Sequence, residues 1–211
     1  VDNLWVQPAA GDAGGALGAA LFTWHQVLGH ERKAGPQDSQ RGSFLGPEYS
    51  DEEIESYLKS EGIPHSRLNE LELAEGLAAV LETGAVVGWF QGRMEFGPRS
   101  LGARSILGDP RNPEMQSKMN VKIKFRESFR PFAPAVLKEK AYEYFDLKGE
   151  SPYMLVVAPV TRQRRKAGVA KGEILERLHA QRSDIPAVTH VDYSARVQTV
   201  DKAVNARFHA L

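Results

Sequence analysis

Gln91-Gly92-Arg93-Met94-Glu95-Phe96-Gly97-Pro98-Arg99-Ser100-Leu101-Gly102-Ala103-Arg104 opens the most informative stretch of this sequence. Asn120-Val121-Lys122-Ile123-Lys124-Phe125-Arg126-Glu127-Ser128-Phe129-Arg130-Pro131-Phe132-Ala133-Pro134 closes it. Between Gln91 and Pro134 stand nine cations (Arg93, Arg99, Arg104, Arg111, Lys118, Lys122, Lys124, Arg126 and Arg130). They face four acids, Glu95, Asp109, Glu114 and Glu127, in a chain whose formal net charge is zero. The turn residues Gly97-Pro98, Gly102, Gly108-Asp109-Pro110 and Asn112-Pro113 interleave them. Guanidinium forks bind phosphate oxygens in pairs, and glycine lets backbone amides approach closely, so the pattern suits a phosphate-rich ligand. A surface on which these arginines pair with the four acids fits the charge pattern equally well.

Outward from that stretch the chain reads as helices and buried strands. Ser50 with Glu53 forms a capping box for a helix carrying Ile54, Tyr57 and Leu58, which Gly62 ends. Apolar positions from Leu71 to Leu81 predict a second helix ended by Gly84, and Ala85–Phe90 reads as a buried strand. Ala135–Tyr144 reads as helix, Met154–Val160 as a strand cut by Pro159, and Val188–Val191 with Ala195–Val200 as a strand pair. Leu4–Gln7 reads as a short strand. Gly11–Gly15, before the small-residue segment Ala16–His25, is either an anion-binding helix start or a plain loop and buried helix. Residues 30–50, rich in Gly and Pro, read as a linker, with 35–48 exposed, and the basic run from Arg162 to Lys171 as a solvated loop. Helices and strands mix without strict alternation. An α/β or α+β sheet protein fits best.

Composition narrows function further. Of the 211 residues, 27 are Lys or Arg and 27 are Asp or Glu, which argues against a nucleic-acid coat or an anionic-membrane binder. Cysteine is absent, so disulfides, thiolate zinc sites and cysteine nucleophiles are excluded. The apolar runs are too short to span a bilayer, and the expectation is a cytoplasmic protein with no membrane partner. The six histidines show no HxxxH or HxH spacing, and no metal site is expected within the chain. His190-Val191-Asp192 has the elements of an oriented base, though strand decoration is the commoner use of such a pair. The start at Val1 and the stop at Arg207–Leu211 read as the ends of a piece of a longer protein.

The Gln91–Leu107 run, Asp109-Pro110-Arg111 and Asn120–Pro134 together resemble the signature of O-carbamoyltransferases of the NodU/CmcH/TobZ type. Thr189-His190-Val191-Asp192, Ala195–Val200 and Pro8–Leu21 are similar to the same family, so the likeness covers nearly the whole chain. The resemblance implies a YrdC-like twisted open sheet with flanking helices over 51–211, truncated at its C-terminus. A linker over 31–50 and the tail of an actin-like domain over 1–30 would precede it. It implies that this domain makes carbamoyl-adenylate from ATP, with Mg, and carbamoyl phosphate. The N-terminal actin-like domain, the expected partner and the expected home of iron, then passes the carbamoyl group to a hydroxyl acceptor. Lys124-Phe125-Arg126 matches the KxR element of YrdC-like sites, and the companion SxN element belongs after residue 211.

Forming an acyl-adenylate requires a carbamate oxygen to attack the α-phosphorus while pyrophosphate leaves, so the enzyme supplies position and positive charge. On that reading Lys124 and Arg126 act on phosphate and carbamoyl oxygens, and Arg99 and Arg130 clamp. Arg104, Asn120 and Ser100 complete the implied nucleotide-binding set. Arg93, Arg104 and Asn120 would support it or hold the fold, with an internal ion pair as the other use of Arg104. The alternatives are an RNA-binding module, which neutral charge disfavours, and a YrdC-like module making threonylcarbamoyl-adenylate for tRNA.

Overall fold

A computed structural model describes residues 6–33, 35, 38–166 and 180–211. The expected strand at Leu4–Gln7 and the latter part of the basic run fall largely outside them. The chain is mixed α/β, with several helices and two small sheets. It packs as two units: one runs up to Ser66 and takes in Phe90–Ser105, the other joins Arg67–Trp89 to Ile106–Leu211.

In the first unit, helix α1 (Asp12–Phe22) runs into a π-turn at Thr23–Val27, and neither buries a residue. Gly14 must be glycine, because a Cβ there would lie 2.5 Å from the Ala9 carbonyl oxygen. Helix α2 (Asp51–Ser60) starts at the expected capping box: the Glu53 amide donates to Ser50 Oγ, and the Ser50 amide to Glu53 Oε2. The supposed exposed connection at 35–48 is partly tied down. Gly42 and Ser43 are buried. Backbone bonds join Gly46 N to Met94 O, Met94 N to Pro47 O and Phe96 N to Ser43 O.

The second unit contains α3 (Glu70–Glu82), capped by Asn69, whose Oδ1 accepts from the Leu71 and Glu72 amides. A two-stranded sheet pairs β1 (Val87–Phe90) with β2 (Arg104–Leu107). The main sheet has the order β3-β5-β4. Its central strand β5 (Ser194–Val200) is parallel to β3 (Ala135–Leu137) and antiparallel to β4 (Val156–Pro159). Six of the seven β5 residues are buried, as a central strand requires. Pro159 ends β4 at the sheet edge, where a missing N–H is tolerated. The core joins Phe145, Ala158, Val160, Ile185, Val188, Ala195 and Val197. A second cluster packs Leu73 and Leu77 of α3 with Trp89, Val200 and Phe208.

Three expectations are corrected here. Ala135–Tyr144 is not one helix: Ala135–Leu137 pairs with Gln198–Val200, and only Ala141–Tyr144 is α-helical. Pairing with a strand some sixty residues on overrides the helix preference of Ala, Leu, Lys and Glu. Val188–Val191 is not a strand, because Pro186–Val188 forms a 3₁₀ turn and the buried Thr189 donates back to the Ile185 carbonyl. The described part of the basic run is anchored, not solvated. Arg164 stacks 3.7 Å from the Tyr144 ring and pairs with Asp184 at 2.6 Å, while Arg165 lies over Tyr193.

Candidate phosphate-binding site

Two arginine-bearing loops emerge from the cation-rich stretch, one in each unit. In the first unit Glu95 is buried and gathers donors. Its Oε1 accepts from the amides of Leu101, Ala103 and Arg104 at 2.7, 2.8 and 3.2 Å, and its Oε2 from Arg104 Nε at 3.0 Å. Arg104 also donates to the Glu95 carbonyl. Burial pushes the Glu95 carboxyl up, and the Leu101 and Ala103 amides together with Arg104 more than offset that, leaving it below the ordinary value. Gly97 completes the loop at φ +113°, where a Cβ would strike that of Ala9. Ser100 donates its hydroxyl to the Arg104 carbonyl, and Arg93 binds the Gly46 carbonyl and Glu48. Arg99 is exposed, with no ion pair among the described residues.

In the second unit a neutral amide does the gathering. Helix α4 (Met115–Lys118) continues into a π-turn at Met119–Ile123, which places Asn120 fully inside. Asn120 Nδ2 donates to the carbonyls of Ser128 (3.0 Å) and Arg130 (2.8 Å), and its Oδ1 accepts from Arg126 Nε at 2.6 Å. The Arg126 guanidinium lies 4.9 Å over the Phe132 ring. Arg130 pairs with Glu127 at 2.8 Å on the surface. The pinned loop projects Phe125, 86% exposed at φ +49°, together with Lys122 and Lys124. Both lysines lack an ion-pair partner among the described residues.

Beside this loop opens a cavity of about 1000 Å³ walled by Lys118, Lys122, Phe129, Arg182, His190 and Asp192, among others. None of the seven site residues expected from sequence lines it. Arg99, Ser100 and Arg104 belong to the first unit. In the second, Asn120, Arg126 and Arg130 are held together by the amide of Asn120, and Lys124 stands on the same loop. Sequence reading passed over Lys122, Arg182 and His190 as cavity residues. For Lys122 the available signal was its place two residues before Lys124 on a turn that exposes both. Lys118 contributes its stem, because its ammonium is bound to the Gly84 carbonyl at 2.6 Å. Among the described residues no group of three His, Asp or Glu side chains could hold a metal ion.

The family model described as "Carbamoyltransferase C-terminus" matches residues 78–211, which include this loop and the whole cavity wall. The chain belongs to that family. It is 55% identical, over 99% of its length, to a Synechocystis protein named "Uncharacterized protein sll1178", of which it covers 35%. It is 40% identical, over 98% of its length, to the nodulation protein NolNO of Sinorhizobium fredii, of which it covers 28%. It is 33% identical, over 99% of its length, to the 3'-hydroxymethylcephem-O-carbamoyltransferase of Streptomyces clavuligerus, of which it covers 34%. The chain thus spans about a third of the length of these curated relatives.

Proposed function

We propose that this chain provides the carbamoyl-activating part of an O-carbamoyltransferase, binding ATP and carbamoyl phosphate and forming carbamoyl-adenylate from them with release of inorganic phosphate and pyrophosphate. The observation that carries the reading is a lysine-bearing loop, pinned by the buried Asn120, on the rim of a cavity of about 1000 Å³. The family match and the name of the Streptomyces relative supply the carbamoyl group as the cargo. ATP would arrive as its magnesium complex. Water first cleaves carbamoyl phosphate to carbamate and inorganic phosphate. A carbamate oxygen then attacks the α-phosphorus, the new P–O bond forms, and the bond to pyrophosphate breaks with the electron pair leaving on that group. Charge builds on the non-bridging and leaving oxygens, and unpaired cations that need no rearrangement stabilise it.

Lys122 and Lys124 carry that role in this reading. Arg130 becomes a clamp by exchanging its exposed Glu127 partner for a phosphate, and Arg126 orients the loop through Asn120. Arg99 and Ser100 are left for a group reaching the first unit. Transfer from the adenylate to a hydroxyl acceptor belongs to an actin-like, iron-bearing domain in the same reading. Carbamoyl-phosphate-dependent exchange of radiolabelled pyrophosphate into ATP tests it. Exchange that stops when carbamoyl phosphate is omitted is the expected result. RNA binding with a steep salt dependence and no exchange would replace it with the nucleic-acid reading.

A further inference from the structure

The His190-Val191-Asp192 segment, dispensable for the reading above, sits in the wall of the same cavity. It forms the turn into β5: the Tyr193 amide donates to the His190 carbonyl and the His190 amide to the Ser194 carbonyl at 2.8 Å. Ser194 lies between the two side chains. Its hydroxyl donates to Asp192 Oδ1 at 2.7 Å, and its amide donates to the same oxygen at 3.0 Å. A serine hydroxyl has one hydrogen, and Asp192 takes it. The 3.2 Å contact between Ser194 Oγ and His190 Nδ1 must therefore be an Nδ1–H donated to oxygen. That fixes the tautomer and leaves a bare lone pair on Nε2, which has no hydrogen-bond partner among the described residues. Burial pushes the imidazole below its ordinary pKa, with Arg196 adding to it and the Asp192 carboxylate pulling the other way, so the ring stays neutral near neutral pH. A neutral ring held this way, on a residue of the cavity wall, can accept one hydrogen bond at Nε2 and offers none there.

We propose that His190, oriented by Ser194 and Asp192, is a specificity residue whose Nε2 accepts an N–H of the carbamoyl group. Lys122 meets the phosphate end of the same ligand. This rests on the carbamoyl-phosphate reading of the cavity. A site that takes up an N–H discriminates against a ligand lacking it, because its acceptor is left desolvated and unpaired. Acetyl phosphate is the matching probe, with a methyl group where carbamoyl phosphate has its amide nitrogen.

The experiment is calorimetric titration of the protein with carbamoyl phosphate and, separately, acetyl phosphate, in wild type, His190→Phe, Ser194→Ala and Lys122→Met. Wild type should prefer carbamoyl phosphate by about tenfold or more. His190→Phe should lose that preference while keeping its affinity for acetyl phosphate. Ser194→Ala should reduce the preference, and its ring-nitrogen NMR shifts should show a mixed tautomer where wild type shows Nδ1–H alone. Lys122→Met should weaken both ligands and keep the preference. A preference that survives His190→Phe, or a wild-type ring protonated at Nε2, overturns the role of His190 and leaves the carbamoyl-phosphate reading standing. No binding of carbamoyl phosphate to wild type would overturn both.

Discussion

The loop around Glu95 and the loop around Asn120 face the same problem, folding an arginine-bearing turn, and solve it with opposite chemistry. Glu95 is a buried anion that collects amides and consumes a guanidinium, so Arg104 is spent on structure. Asn120 is a buried neutral group. It holds carbonyls with one end and Arg126 with the other, and adds no charge of its own. Lys122 and Lys124 on the second loop have no ion-pair partner among the described residues. The density of cations along a sequence does not show which are available. Which of them find partners in the fold does.

Breaking each pin measures the difference. Glu95→Ala should have the largest effect, about 3 kcal/mol in urea denaturation, because it strands the buried amides of Leu101 and Ala103 and the Arg104 pair. Asn120→Ala removes three hydrogen bonds from a fully buried position and should destabilise by about 2 kcal/mol. A deficit as large as that of Glu95→Ala would mean that the charge of the pin contributes little.

The acid limb sharpens the contrast. The folded-state pKa of Glu95 is below its ordinary 4.5, so its contribution is complete above that value and is lost as pH falls through the folded-state value. Melting curves of Glu95→Gln should lose less stability than wild type over that fall. The loss in Asn120→Ala should parallel wild type. An identical acid limb in Glu95→Gln would contradict the assignment. Smallest of all, Glu127→Gln breaks an exposed pair with Arg130 and should leave the melting midpoint within error, by differential scanning fluorimetry.

Local signals were the legible part of the fold. The Ser50–Glu53 box and the glycine stop at Gly84 delimit helices within a few residues. The Asn69 cap two residues before Leu71 was readable from the same rule, since Glu72 stands three residues on. What escaped was long-range: nothing near Ala135–Leu137 announces β5 as its partner, and its composition favours helix. Pro186, by contrast, was a local sign that a 3₁₀ turn and not a strand leads to Thr189.

The site divides the same way. Charge and turn residues mark the Gln91–Pro134 stretch, but they do not separate Arg104 and Arg126, engaged by the buried Glu95 and Asn120, from Lys122 and Lys124. Three-dimensional pairing decides that. The His190–Asp192 pair looked like decoration because the residue connecting them, Ser194, follows both in the sequence.

The central claim is that the unpaired lysines of the Asn120 loop are the cations that meet phosphate. Calorimetric titration of ATP into wild type and into the double variant Lys122→Met/Lys124→Met tests it most directly, with a melting curve of each as control. The account predicts unchanged melting and binding weakened by roughly tenfold to a hundredfold, the worth of a hydrogen bond to a charged group. Equal ATP affinity in the two proteins, at equal stability, would contradict it.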